Sequence, residues 1–543
     1  MAATIEGASI PGIRLENWVR IGFRAVSKRK KKRNRDAPAK DPVQASADGG
    51  RPLSLRGKLL RIAFGLAVGL ILSELGIHFY NEWWVWTPYD RPPEYQVDKA
   101  HIRFAVLGGS TSKGSPYNGE MRFAGFEHNF TLLSVTQLLL ERRYGYTNIK
   151  VDLYASGGWP VENSVKFYWK MAEYKPDVLV LYTGHNEKTG YYSSNMTPPP
   201  GALSFLGATN TGALLLRDLF KWQVDLDDRE YEGLLFSENV LPFYEAAANK
   251  ARYLGYVEKI IEHCQREAIF LIVVIPEGNY LFPPTRSIYQ GPATRKDEAL
   301  KTFKQAFYYK HFKDDADRAL PLLEELTEFC GFADLYFELG EIYYRQGEID
   351  KAREFLRKAR DSDPFSVMMS SDYQQSLREL VRRHDVPSID MHALLTQELG
   401  VELPDYSCFV DNVHLRMHVY EALNQQIIGK LQEHRFVKLD LPEKDLTIHK
   451  DDREQFLGLT EDHIIHAQAR AHGRVVDEAA ETFLRLTRLL TPLKVLRDLQ
   501  AATPSPLAAT FVNNKLPSLE KEVEAQRARL QKWIRQGNDS LKE

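Results

Sequence analysis

Residues 103–117 read RFAVLGGSTSKGSPY. The first half is a continuous apolar run, the pattern of a strand covered on both faces, and it stops abruptly at Gly108-Gly109-Ser110. A serine on that lip stands where a helix begins, and the first N–H groups of a helix have no partner inside it. The position therefore suits a nucleophile beside a ready-made anion site. Two phosphate-binding readings fail on spacing. A Walker loop needs Lys directly after the later glycine, whereas Gly114 is followed by Ser115 and Lys113 precedes it. No G-x-G-x-x-G is present in the string either. Taken alone, such a string is more often a plain Gly-Ser turn.

Four more apolar runs follow: KVDLYA from Lys150, DVLVLYTG from Asp177, AIFLIVVIP from Ala268 and PSIDM from Pro387. Between the first two strands lies a helix-like stretch, FEHNFTLLSVTQLLLERRYG, ending at Gly145; another, ENSVKFYWKMAEYK, stops before Pro176. Strand alternating with helix predicts an α/β fold, a three-layer α/β/α domain around a parallel sheet. Ligands of such sheets bind beyond the carboxyl ends of the strands. Three further elements fall there. Gly157-Gly158 follows the second strand, where glycine lets backbone approach a ligand and donate an N–H. TGHNE follows the third, with Asn186 as an amide donor. FVDNVHLRMH, after the fifth, carries Asp411 and His414 three apart, a spacing that can put both on one side of a turn. Each is commonplace singly; four in this order are not.

In this order the motifs resemble those of the SGNH (GDSL-like) hydrolase superfamily, whose four blocks contribute Ser, Gly, Asn and His. GGSTSKG resembles the first block with Ser110 its serine, the Gly pair the second with Gly157 chosen, GHNE the third with Asn186, and DNVH the DxxH of the last. The resemblance runs from about Phe104 to Leu439 and is nearest to membrane-anchored bacterial members with tetratricopeptide segments. It departs at Gly109, where the family's name-giving motif has Asp, at Glu187, where Asp often follows the Asn, and in block two, where Asn-x-Gly becomes Tyr-Ala-Ser-Gly. The resemblance implies catalysis by Ser110, His414 and Asp411, an oxyanion hole of Ser110, Gly157 and Asn186, and no cofactor. It implies hydrolysis of O-acyl, including O-acetyl, esters, with an ester or acylated glycan as substrate. Acyl transfer to a cell-envelope polysaccharide and a non-catalytic scaffold are the alternatives. The loops SPYNGEMRF and PEGNYLFPP stand where a pocket would be lined.

The HxxxH of His414 and His418 invites a metal reading, but zinc peptidases need Glu directly after the first His and here the string is HLRMH. Cys264, Cys330 and Cys408 lie far apart in no ligand pattern and read as core thiols.

Between the fourth and fifth strands the pattern turns helical. ADLYFELGEIYYRQGEIDKAREFLRKARDSDP sets Tyr336, Leu339, Gly340, Tyr343, Gly347, Ala352, Ala359 and Pro364 at tetratricopeptide offsets, with a degenerate unit from Glu298 to Gly331. It reads either as a groove for a protein partner or as a packing insert. After Leu439 the chain is mostly helical, with Phe483, Leu486, Leu490 and Leu493 near a stripe.

The 71 Lys+Arg nearly balance 73 Asp+Glu, so no global charge favours nucleic acid. Locally, KRKKKRNR (28–35) precedes an apolar run from Ile62 to Tyr80 broken only by Glu74 and His78, and Trp83, Trp84 and Trp86 follow. At 1.5 Å per residue that run covers roughly 28 Å, enough to span a bilayer core of about 30 Å. The positive-inside rule then keeps the N-terminus cytoplasmic and exports the rest, in a bacterium to the periplasm. The expected organisation is a basic tail (1–58), an anchor (59–82), the first part of the hydrolase domain (83–292), a helical insertion (293–365), its second part (366–438) and a helical C-terminal region (439–543).

Overall fold

Side chains alternate between two apolar clusters along each central strand, which is what makes a sheet with helices on both faces. In the computed structural model, Phe104 and Val106 of the first strand enter one cluster and Ala105 and Leu107 the other. The structure describes residues 101–117, 130–171, 175–187, 246–285, 287–364, 366–481, 486–502 and 506–535, with scattered positions between 61 and 76. The chain divides into two compact units, Met1–Ala67 and Val68–Glu543, and the architecture below belongs to the second.

From its start the order is β1 (Ile102–Gly108), α1 (Ser110–Lys113), α2 (Ser134–Tyr144), β2 (Ile149–Ala155), α3 (Val161–Met171) and β3 (Val178–Tyr182). Next come α4 (Ala246–Glu267), β4 (Phe270–Ile275), α5 (Lys296–Phe312), α6 (Ala316–Thr327), α7 (Ala333–Arg345) and α8 (Ile349–Ser362). The chain continues through α9 (Ser371–Arg383), β5 (Ser388–Asp390), α10 (Met417–Glu433), α11 (Glu461–Glu481), α12 (Leu486–Ala502) and α13 (Pro506–Arg535). All five expected strands form, in the order β2-β1-β3-β4-β5, and every pairing is parallel. The helix expected over 126–145 starts at Ser134, whose Oγ accepts the Thr131 N–H at 2.8 Å; residues 118–129 lie outside those described.

One face of the sheet is covered by α2 and α10, through Leu138, Leu139, Leu423 and Ile427. The other is covered by α3, α4 and α9, through Val165, Val257, Ile261 and Leu377. Each such side chain removed from water contributes about 1.5–3 kcal/mol. The crossover from β1 to β2 uses one face and that from β2 to β3 the other, so the chain changes direction between β1 and β3. In open parallel sheets such a switch point, at the carboxyl ends of the strands, is where ligands bind.

Helices α5–α8 lie between β4 and β5 in sequence, and they form a third cluster together with the C-terminal helices. Phe303, Phe307, Leu339 and Leu356 share it with Leu496, Val512, Leu519 and Trp533. Gly340 lets α7 and α8 cross closely: a Cβ there would come within 2.5 Å of Leu356 Cγ. Lys304 Nζ sits 4.3 Å from the Trp533 ring centre. The partner of the C-terminal stripe, which sequence alone left without one, is thus the repeat insert. Leu490 and Leu493 pack into this cluster, while Phe483 lies outside the described residues.

The run Ile62–Tyr80 falls largely outside the described residues, as do Trp83, Trp84, Trp86 and residues 28–35. Among the described residues no helix is long and apolar enough to cross a membrane. Within that run Phe64, Ile71, Leu72 and Leu75 are helical, with exposed side chains.

Candidate active site

The end of β1 turns into α1 at once, so Ser110 stands at the carboxyl end of β1, at that switch point. Its turn is fastened on three sides. Ser112 Oγ donates to the Tyr182 carbonyl at the end of β3 (2.9 Å), Thr111 Oγ1 to the Val413 carbonyl (3.4 Å), and Tyr420 Oη of α10 to the Thr111 carbonyl (2.8 Å). Three hydrogen bonds thereby hold the turn that presents the Ser110 hydroxyl.

His414 arrives from the loop before α10. Its Nε2 is 2.6 Å from Ser110 Oγ, and its Nδ1 is 2.6 Å from Asp411 Oδ2. The three-residue spacing works because Asp411 folds the loop on itself. Its Oδ1 accepts the N–H groups of Val413 (3.0 Å) and His414 (2.9 Å), leaving Oδ2 to face the imidazole. Burial by itself raises the Asp411 pKa, but the neighbouring His414 and the two N–H donors outweigh it and hold the carboxyl at about 2. An ionised Asp411 accepts a proton bond from Nδ1–H, which leaves Nε2 as the acceptor for the serine hydroxyl. With both ring nitrogens so occupied, His414 is not disposed as a metal ligand, and His418 is an exposed residue in the first turn of α10. Among the described residues no His, Cys, Asp and Glu side chains converge as a metal-binding set, and the three cysteines are buried and unpaired.

The block-two loop is a turn closed by Trp159 N–H to the Ser156 carbonyl (3.3 Å), with Gly158 at φ +71°, a conformation side chains disfavour. Gly157 is exposed, and a Cβ there would meet nothing within 4 Å. Asn186 Nδ2 donates to the Trp159 carbonyl at 3.2 Å. The same nitrogen would lie 2.7 Å from a Cβ on Gly109. So Asn186 is brought against the residue preceding Ser110, and glycine at 109 is what makes room for it. The block-two residue bonded to Asn186 is thus Trp159, two positions past Gly157.

Several contributors had no signal in a single sequence. Glu187 is buried, and its Oε1 accepts the Val161 N–H at the start of α3 (2.8 Å), which pins the chain next to Asn186. Burial pushes its pKa up to about 8 in spite of that N–H. His185 is buried, and burial together with nearby His414 lowers its pKa to about 3; its Nδ1 accepts the Met369 N–H at 3.4 Å. Asn279, in the PEGNYLFPP loop after β4, is fully buried. It donates from Nδ2 to the Asp411 carbonyl (2.8 Å) and from its backbone N–H to the Asn412 carbonyl (2.9 Å). The loop expected to line a pocket is here a clamp on the Asp411–His414 segment.

A tetratricopeptide-repeat family model matches residues 313–377, from the start of α6 into α9. No curated protein sequence matches the chain. Solved structures similar to it include an acetylxylan esterase from Geobacillus stearothermophilus, 12% identical over 64% of this chain and 100% of its own, with a TM-score of 0.28. Others are a lipase/acylhydrolase from Enterococcus faecalis (11% identity, 63% and 99%, 0.27) and a GDSL-like lipase from Bacteroides thetaiotaomicron (9% identity, 63% and 92%, 0.27).

Proposed function

We propose that this protein is an SGNH-type serine ester hydrolase working through an acyl-enzyme. The single observation that carries the reading is the unbroken chain Ser110 Oγ, His414 Nε2, His414 Nδ1, Asp411 Oδ2, with both links at 2.6 Å. A serine hydroxyl is a poor nucleophile until a base takes its proton. In the proposed cycle Ser110 Oγ attacks the ester carbonyl while His414 Nε2 accepts the hydroxyl proton. The same proton passes to the departing alkoxide as the carbon–oxygen bond breaks. Water then attacks the acyl-serine with His414 again as base, releasing the acid and restoring Ser110. Asp411 keeps the imidazole in the required tautomer. The oxyanion is assigned to the N–H groups of Ser110 and Gly157 and to the Asn186 amide, each such donor contributing about 3 kcal/mol to the transition state.

The proposed substrate is an O-acyl ester, and the proposed setting is extracytoplasmic, tethered by the 59–82 segment. The exposed apolar side chains of Phe64, Ile71, Leu72 and Leu75 support a tether. The repeat helices have a structural part in this reading, because their apolar residues share a cluster with α12 and α13.

Replacing Ser110 by Ala tests the reading. It is expected to abolish p-nitrophenyl acetate cleavage and labelling by a fluorophosphonate, with site mapping placing the label of the parent chain on Ser110. Activity and labelling that survive the exchange overturn it.

A further inference from the structure

Ser110 and His414 stand 304 residues apart in the chain, so the 2.6 Å link between them depends on what holds their two loops together. The turn that carries Ser110 runs on to Tyr117. Within it the Ser115 N–H donates to the Ser110 carbonyl (3.1 Å) and the Tyr117 N–H to the Gly114 carbonyl (2.8 Å). Tyr117 is buried, its ring edge-on to Phe130 (5.9 Å between centres) and to Tyr420 (6.1 Å). The loop that carries Asp411 and His414 is closed at its base by Arg416. The Arg416 N–H donates to the Cys408 carbonyl (2.8 Å) and Nε to the Tyr406 carbonyl (2.6 Å), while the Val410 N–H donates to the His414 carbonyl (2.9 Å).

One side chain joins these two ends, and it comes from the C-terminal region. Gln468 of α11 accepts from Arg416 Nη1 through Oε1 (2.9 Å) and donates from Nε2 to Tyr117 Oη (3.2 Å). A guanidinium can only donate, so it claims the amide oxygen and leaves the amide nitrogen for the tyrosine. Burial pushes the Tyr117 pKa up to about 12, so its oxygen stays a neutral hydroxyl. The helix itself is anchored on both sides of Gln468. Ile464 and Ala467 belong to the apolar cluster of Tyr117 and Tyr420, and Ala469 to that of the repeat helices. A hydroxyl and an imidazole react only when held at near-attack separation, and small misplacements cost rate rather than binding.

We infer that Gln468 is a positioning residue for the Ser110–His414 pair, which makes the C-terminal helical region a working part of the active site; this rests on the ester-hydrolase reading. The test measures p-nitrophenyl acetate hydrolysis per folded molecule by the full chain and by Gln468→Leu, Tyr117→Phe and the double variant, with melting curves giving the folded fraction. Gln468→Leu is expected to lower kcat about tenfold while KM moves by less than about twofold, because no ground-state contact with substrate is lost. Tyr117→Phe keeps the ring packing and cuts the same link from the other end without touching α11, so it too should lower kcat. In the Tyr117→Phe background the Gln468→Leu exchange should then cost clearly less than it does alone. Parental kcat in the folded fraction of Gln468→Leu, or costs that simply multiply in the double variant, overturn the inference. The two readings fail separately. Activity that survives Ser110→Ala removes the hydrolase reading, whereas activity lost in Ser110→Ala but untouched in Gln468→Leu removes only the role of Gln468.

Discussion

Arg360, on the second helix of the tetratricopeptide unit, and Glu277, two residues past β4, form an ion pair at 2.6 Å with side-chain exposures of 2% and 1%. The other Glu277 oxygen faces His392 Nδ1 at 3.0 Å. Burial by itself raises the Glu277 pKa, but Arg360 and His392 outweigh it and hold the carboxyl at about 2. Two residues on, Asn279 clasps the Asp411 and Asn412 carbonyls. The insert is therefore bonded into the wall of the active site rather than hung on its surface.

Removing one partner of a buried pair strands the other charge, so Arg360→Met is expected to destabilise the fold by about 3–5 kcal/mol. The double exchange Arg360→Met with Glu277→Leu leaves no stranded charge and should cost clearly less than Arg360→Met alone. Urea denaturation of the three variants decides it. A double variant as unstable as the sum of the single ones would mean that the pair is not coupled.

Asn279→Ala removes the amide bond to the Asp411 carbonyl while leaving the backbone bond to Asn412. The catalytic loop then loses definition but not its residues. Turnover is expected to fall about tenfold to a hundredfold, the scale on which small misplacements act, with KM changed less than threefold. A merely structural Asn279 would lower stability and leave the kcat of the folded fraction as it was.

Asn186 faces the developing oxyanion in the proposed cycle, so Asn186→Ala should lower kcat about a hundredfold or more. Gly109→Ala is the companion exchange. Its new methyl would stand 2.7 Å from Asn186 Nδ2 and displace that amide without deleting it. A loss of kcat in both, with near-normal melting in both, is the expected pair of results. Full activity in Asn186→Ala would remove it from the oxyanion hole.

What was legible in the sequence follows from how far apart the interacting groups lie. Strands buried on both faces announce themselves as apolar runs, so all five were found; Ser110 could be singled out at the end of β1, and Asp411 and His414, well past the end of β5, as a short D-x-x-H string, and the structure sets the three within hydrogen-bonding distance of one another. Trp159 contributes a backbone carbonyl, which no residue type encodes. Asn279 and Glu187 act through partners 132 and 26 residues away. Arg360 is one of several charges on an amphipathic repeat helix, and only the fold shows it buried against Glu277. The C-terminal stripe likewise needed the repeat helices beside it before it had a face to cover.

Glu187 supplies a pH signature. Burial raises its pKa from 4.5 in the open chain to about 8 in the fold. A group whose pKa is raised by folding contributes stability that is fully present below its unfolded value and is lost as pH rises towards its folded one. Each pH unit climbed in that window should remove about 1.4 kcal/mol, levelling off above about 8. His185 and His472 shift the opposite way, downward from 6.5, and destabilise the fold only as pH falls below that value. Between pH 6.5 and 8 the two histidines therefore do not mask the Glu187 slope, and Glu421, whose pKa burial also raises, is common to the parent chain and the variant. Glu187→Gln keeps an acceptor for the Val161 N–H but cannot ionise, so its stability should decline clearly less across the window than that of the parent chain. Parallel denaturation midpoints for the two proteins from pH 6.5 to 8 would show that Glu187 is already ionised in the fold.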